Sequence, residues 1–371
     1  MTSPRRALLG GLPGGVLVGA LILTGVLEFL ELKALDGLFQ LRGVRVPRAP
    51  IVIVAIDEDT FKALNVQWPF PRALHGRLID KLRAASPAAI GFDIIFSEPS
   101  IRGPADDETL ASAVARANNV VLAASLTRTE TDLGPKVDLN PPIQVIRRGA
   151  AAFGFINLDT DQDGFVRRSG EFRLFFQGYE QFSFDLHLYK LAVKAGIPAK
   201  LLPPNRTVLI NYRGPAGTFP VISYYKVLNG EAKGENFAGK IVVVGATAPS
   251  LLDVSSTPFA TRGDMPGVEV HANVVETLLN GNSLRETPVW FGAAVAIVAA
   301  LAAGGLLAWL REWGLVAALA LLAAVGLGTL VLFSVWDIWF RPVGVMVAVI
   351  FGLFSAMAFT LQRGAPEVTR R

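Results

Sequence analysis

Charge is nearly absent from two stretches of this chain, residues 7–30 and 289–361, and ordinary between them. A helix needs roughly 20 apolar residues to cross the hydrocarbon of a bilayer. The charge-poor stretches divide on that scale into four predicted transmembrane helices, Ala7–Leu30, Val289–Leu310, Gly314–Val335 and Val343–Leu361. Residues 31–288 between the first two are expected to fold as one domain joined to a bundle of four transmembrane helices. With 51% hydrophobic and 18% charged residues, the chain is too apolar for an ordinary soluble protein and too charged to lie wholly in a membrane.

Short-loop charge predicts the orientation. Arg5 and Arg6 precede the first span, Arg311 separates the second and third, and Arg363, Arg370 and Arg371 follow the fourth. The opposite loop, residues 336–342, sets Arg341 against Asp337. Positive residues favour the cytoplasmic side, so residues 1–6 and the tail 362–371 are expected inside and the domain outside. Trp290, Trp309, Trp313, Trp336 and Trp339 mark span ends, where amphipathic rings prefer to sit. Arg5-Arg6 resembles a twin-arginine signal, but the apolar run exceeds a usual signal core and no small-x-small cleavage site follows, so an uncleaved anchor is expected. Gly10, Gly11, Gly14, Gly15 and Gly19 give overlapping G-x-x-x-G spacings, which serve equally a packing face within the bundle or a homodimer.

Between the spans the pattern is α/β. Leucines at helical spacing over 27–41 predict a juxtamembrane helix ended by Pro47 and Pro50. Ile51–Ile56 and Ala88–Phe96 are unbroken apolar runs, as in strands buried on both faces of a parallel sheet. Leu74, Leu78 and Leu82 between them form one helical stripe after Pro71, completing a βαβ unit. Asp106–Ala117, Ser183–Ala195 and Val268–Leu279 are predicted helices; Val120–Ser125, Val208–Tyr212 and Lys240–Gly245 are predicted strands. Residues 153–178 read as extended hairpins around Asp163-Gly164. The expected fold is an α/β extracytoplasmic domain with a mostly parallel sheet and an antiparallel insertion. The absence of cysteine excludes disulfides and thiolate chemistry. A formal charge of +4 without a basic stripe gives no reason to expect nucleic acid.

Several segments, taken together, resemble a known family. The runs beginning at Ile51 (IVIVAIDEDT), Trp68 (WPFPRALHGRLIDKL) and Ile90 (IGFDIIFSEP) carry the likeness. So do those at Asp161 (DQDGFVRR), Ile210 (INYRGPAGTF), Ser223 (SYYKVLNG), Gly239 (GKIVVVGATAPSLLD) and Met265 (MPGVEVHANVVETLL). Over about residues 35–285 the chain resembles the CHASE type-2 family, cyclase and histidine-kinase associated sensory extracellular domains. The resemblance implies an outward-facing sensor in a bacterial cell (inner) membrane, with a periplasmic or extracellular main domain. It also implies an output module of the cyclase or kinase class. Residues 362–371 are too few to fold into one, so a separate partner or a longer form of the chain is expected to supply it.

Candidate site residues follow from position. Asp57 and Asp93 stand at the carboxyl ends of predicted parallel strands, where open sheets bind ligands. With Trp68 and Arg72 they would receive a cation, an amine or a sugar hydroxyl; alternatively Asp57 caps the next helix and Asp93 pairs with Arg72. Thr247 and His271 are paired as a second candidate, where the start of the last helix would hold an anion against the Gly245-Ala246-Thr247 loop. The alternative is a histidine hydrogen-bonded in the core. Asp159, Asp161, Asp163 and Gly164 spell the opening of a calcium loop, but Gly170 replaces its closing glutamate, so a hairpin turn is the better reading. His75 and His187 have no second ligand at useful spacing. No nucleophile elbow, zinc helix or phosphate loop is present, so neither enzyme chemistry nor a cofactor is expected. Besides the lipid bilayer, the expected partners are an extracytoplasmic ligand or protein and a cytoplasmic signalling protein. Two other readings are kept: an envelope docking or assembly protein, and a carboxylate- or metal-dependent envelope enzyme.

Overall fold

A computed structural model describes residues 10–131, 134–201 and 207–364. The chain forms two compact units, residues 44–283 and the two segments flanking them.

The flanking unit opens with α1 (Leu12–Leu23) and α2 (Glu28–Arg42). The sequence predicted one span over Ala7–Leu30, whose first three residues lie outside the described ones. Instead the helix breaks after Leu23 and α2 leaves at 84°. Gly25 takes φ +75°, a left-handed conformation that glycine adopts without steric cost, and Glu28, Glu31 and Lys33 follow directly.

The domain is built on one seven-stranded sheet. Its strands are β1 (Ile51–Ile56), β2 (Ala89–Ile95), β3 (Val120–Thr131), β4 (Gly134–Asn140) and β5 (Ala152–Phe155), with β8 (Val221–Ser223) and β9 (Ile241–Ala246) later in the chain. The order is β4-β3-β2-β9-β1-β8, with β5 also paired to β3. All pairings are parallel except β3 with β4, which extends the sheet as an antiparallel arm. A second hairpin, β6 (Arg173–Phe176) with β7 (Tyr179–Phe182), is antiparallel as well. The last long strand, β9, is inserted between the first two; all six residues of β1 and of β9 are buried.

Helices cover both faces. Between β1 and β2 lie α3 (Glu58–Leu64) and α4 (Arg72–Ala84); α5 (Pro104–Ala117) follows β2, and the short α6 (Gln144–Arg147) precedes β5. On one face, Leu78, Ile79 and Leu82 of α4 join Leu110 and Val114 of α5 over Val52, Val54, Ile90, Phe92, Val242 and Val244. Each such buried side chain contributes about 1.5–3 kcal/mol. The short α8 (Tyr224–Leu228) belongs to the same cluster. The other face is covered by α7 (Phe184–Lys194) and α9 (Gly267–Asn280). Ser183 caps α7, its Oγ accepting from the Leu186 N–H at 3.2 Å.

Two predicted elements differ. Residues 208–212 form no ladder, although Val208, Leu209, Ile210 and Tyr212 are buried. Their polar backbone is taken up irregularly: the Ile210 N–H donates to the Arg167 carbonyl at 2.9 Å and the Asn211 N–H to Thr277 Oγ1 of α9 at 3.1 Å. Asp163-Gly164 turns no strand hairpin; the Gly164 N–H closes a tight turn on the Asp161 carbonyl at 2.9 Å. The nearby hairpin turns instead at Gln177-Gly178, both with positive φ.

In the flanking unit, α10 (Val289–Leu310), α11 (Gly314–Trp336) and α12 (Pro342–Gly364) follow the domain. Two of the described helices are long and apolar enough to cross a membrane, Val289–Leu307 and Gly314–Trp336; the bent pair would be a third. The apolar part of α12, Pro342–Ala358, is shorter, so the expected bundle of four spans is not what this geometry shows. The small residues of α1 pack within the chain. A Cβ on Gly11 would meet the Ala300 carbonyl oxygen at 2.5 Å, and one on Gly14 the Phe351 carbonyl oxygen at 2.6 Å.

Candidate functional site

A cleft of about 510 Å³ opens at the carboxyl edge of the sheet, where β2 and β9 end. Parallel sheets place ligands at this edge because loops diverge there while the strands stay fixed. Its lining includes Trp68, Phe70, Asp93, Ile95, Ile101 and Asp253.

Local irregularity brings Asp93 to the cleft. The β2–β3 register shifts between Phe92 and Ile95, a bulge of the kind that re-aims side chains beside functional sites. Across the other ladder Asp93 faces Gly245 of β9. A Cβ on Gly245 would lie 2.7 Å from Val268 Cβ and 3.3 Å from Asp93 Cβ, so only glycine lets α9 and Asp93 share this space. Asp93 is 8% exposed, and among the described residues its carboxylate takes part in no hydrogen bond or ion pair. Burial pushes it up to about 6; the carboxylates of Asp253 and Asp185 add to this and His271 opposes it.

Behind Asp93 stands a buried ion pair, His271 Nδ1 of α9 and Asp185 Oδ1 of α7, 2.9 Å apart. Burial works against a charge on His271. The neighbouring carboxylates of Asp185, Asp93 and Asp253 outweigh it and raise the imidazole to about 9. At the mouth, the Asp253 carboxylate overlies the first residue of α9, and a Cβ on Gly267 would meet Asp253 Oδ1 at 2.7 Å. The positive end of a helix dipole favours a carboxylate there.

The other predicted site residues serve the fold or line the cleft without free charge. Asp57 caps α3, accepting from the Thr60 N–H at 2.8 Å and the Thr60 hydroxyl at 2.6 Å, and from Ser223 Oγ at 2.6 Å. It does not line the cleft. Arg72 does, but its guanidinium is held by Asp107 and by the Glu98 carbonyl, so it neutralises neither Asp57 nor Asp93. Trp68 is 38% exposed on the cleft wall, its ring edge-on to Phe70 at 5.3 Å. The Thr247 N–H donates to the Ile56 carbonyl at 3.1 Å; neither Thr247 nor His271 lines the cleft, and His271 is engaged by a carboxylate. The aspartates of the calcium-like run face an internal cation. Arg167, with a fully buried side chain, reaches Asp161 Oδ2 and Asp163 Oδ2, each at 2.8 Å. Asp159 makes no such contact, and no group of three or more His, Asp or Glu among the described residues is arranged to hold a metal ion.

His75 is buried beneath the aromatic wall. Burial drives it down to about 3, so it is neutral, with Nδ1 and the Tyr224 hydroxyl 2.9 Å apart. Asp253 escaped the sequence reading, since it follows no strand end directly and joins the cleft only through the loop after β9.

The family of CHASE2 domains matches residues 14–307. No curated protein and no solved structure matches the chain. With the whole of residues 44–283 inside that match, the chain belongs to the CHASE2 family of sensory extracellular domains.

Proposed function

We propose that this chain is a membrane-anchored, receptor-like sensor whose outer domain takes its signal in the cleft at the carboxyl edge of the sheet. The observation that carries the reading is Asp93, a buried carboxylate that faces an open cleft and has no hydrogen-bond or ion-pair partner among the described residues. A ligand presenting a donor or a positive charge in the cleft would form a charge-assisted hydrogen bond with that carboxylate. The relay then runs through the membrane helices to a cytoplasmic output module of the cyclase or kinase class, with both termini on that side. A ligand moves such an equilibrium only as far as it binds one domain arrangement better than the other.

The test is made on the full chain in its own membranes. Photocrosslinking identifies the cytoplasmic partner, and the partner's output is compared between the wild type and Ser97→Trp, which fills the cleft. A cyclase- or kinase-class partner whose output changes with the substitution supports the sensor. Capture of envelope proteins alone, with no output altered, would replace it by a docking role.

A further inference from the structure

We propose that the cleft binds an organic amine, its ammonium group received between Asp93 and Asp253 and its apolar body laid against Trp68 and the adjoining isoleucines. The proposal rests on the sensor reading and names the chemistry of its ligand. Three observations carry it. First, neither the Asp93 nor the Asp253 carboxylate forms a hydrogen bond or ion pair among the described residues, although both line the same cleft and Asp93 is more than nine-tenths buried. Their neighbour His271 has its own countercharge in Asp185 at 2.9 Å, and the cleft's Arg72 is committed to Asp107. The cleft's other arginine, Arg102, acts on the Asp106 carboxyl and makes no ion pair with either acid. Three carboxylates, Asp185, Asp93 and Asp253, thus share the one His271 imidazolium, an excess of two negative charges.

Second, part of the cleft wall is apolar and uncovered. Trp68, Ile95 and Ile101 are 38%, 44% and 90% exposed, and all three line the cleft. An ammonium beside an indole face and two carboxylates is a recurrent recognition geometry for organic cations. Third, the competing classes fit poorly. Bare metal ions need four or more ligands, and no metal-holding group is present among the described residues. An anion would meet two carboxylates. A neutral alcohol would leave both charges uncompensated.

The experiment is calorimetric titration of the full chain in lipid nanodiscs at about pH 8, where Asp93 is ionised. Three probes of similar shape are used: phenethylamine, phenethyl alcohol and phenylacetate. The amine is expected to bind at least about 10-fold more tightly than the alcohol, or about 1.4 kcal/mol, and phenylacetate not at all. Asp93→Asn and Asp253→Asn should each weaken the amine about 10-fold or more and leave the alcohol unchanged. Asp253 is exposed at the mouth, so its variant keeps the test valid if Asp93→Asn disturbs folding. Equal binding of the three probes, amine binding unchanged in both variants, or no amine binding at all would each overturn the proposal. The sensor reading fails separately: it falls only if cleft filling by Ser97→Trp leaves the partner's output unaltered.

Discussion

The domain treats two of its buried acids in opposite ways. Glu276 of α9 is saturated: it accepts from the Arg48 and Ala49 N–H groups at 2.9 and 2.7 Å and pairs with the Arg213 guanidinium at 2.9 Å. Glu269, two turns earlier, likewise accepts from the Gly217 and Thr218 N–H groups at 2.8 and 2.9 Å. These acids replace the missing ladder, since the segments they hold have no strand partner for their N–H groups. Asp93 lies at the bulge near the end of β2 and has none of this. Burial does not separate the two kinds of acid, because both are buried. Hydrogen-bond saturation does: a saturated acid holds backbone, and a bare one is held ready for something else.

The largest consequence is expected at Glu276. Glu276→Ala strands Arg213 in the interior and orphans two backbone donors. Breaking a buried pair from one side costs about 3–5 kcal/mol, so thermal unfolding of the full chain in detergent should shift strongly downward. A small shift would show that saturation is not what makes an acid structural here.

Asp93 should respond to pH instead. Its carboxyl titrates near about 4 in the unfolded chain and about 6 in the fold. The folded state therefore binds the proton more tightly, and stability is lost as pH rises from about 4 to about 6. His271, raised to about 9, contributes stability that is complete below about 6.5 and lost as pH climbs toward 9. The groups facing Asp93 are His271 from α9, Asp185 from α7 and Asp253 from the loop after β9. In Asp93→Asn the lower window should flatten, a change on the order of 1–3 kcal/mol. The upper window should still open near about 6.5 but close at a lower pH, because His271 loses one neighbouring carboxylate. Unfolding curves collected across both windows decide this; an unchanged profile would remove Asp93 from the coupled set.

Asp57 is the intermediate case, an acid at a strand end that resembles Asp93 in sequence and Glu276 in bonding. Asp57→Ala removes the α3 cap and the Ser223 contact, and should cost about 1 kcal/mol. Amine binding in the cleft should stay at its wild-type value. A binding loss equal to that of Asp93→Asn would place Asp57 in the site after all.

The limits of sequence reading follow the same division. β1, β2 and β9 are legible as apolar runs because both of their faces are buried, and the α4 stripe is legible because only one of its faces is. Asp93 and Trp68 are legible by position at a strand end and a turn. What α9 does is not: Glu269, Asn273, Glu276 and Thr277 look like a solvent face, yet all are buried and all four hold residues 211–219. A polar stripe carries the same pattern whether it meets water or irregular backbone. Arg72 misleads for a related reason. It stands close in sequence to the cleft residues, but it is the packing of α4 against α5 that brings Asp107 to it.

The smallest effect is expected where the sequence most resembles an ion site. Asp161 and Asp163 are already paired with Arg167, whose guanidinium occupies the interior side of the loop in place of a metal cation. Calcium would have to displace a buried arginine and find ligands to replace a closing glutamate, the position held by Gly170. Adding calcium, or removing it with a chelator, should therefore leave the melting temperature unchanged. Arg167→Met sharpens the point, since it removes the guanidinium that both acids contact, while the Phe165 N–H still donates to Asp163. That variant should lose stability without calcium and recover part of it when calcium is added. A calcium response in the wild type would mean that an internal ion pair does not protect an acid from outside ligands, and the contrast between Glu276 and Asp93 would lose its physical basis.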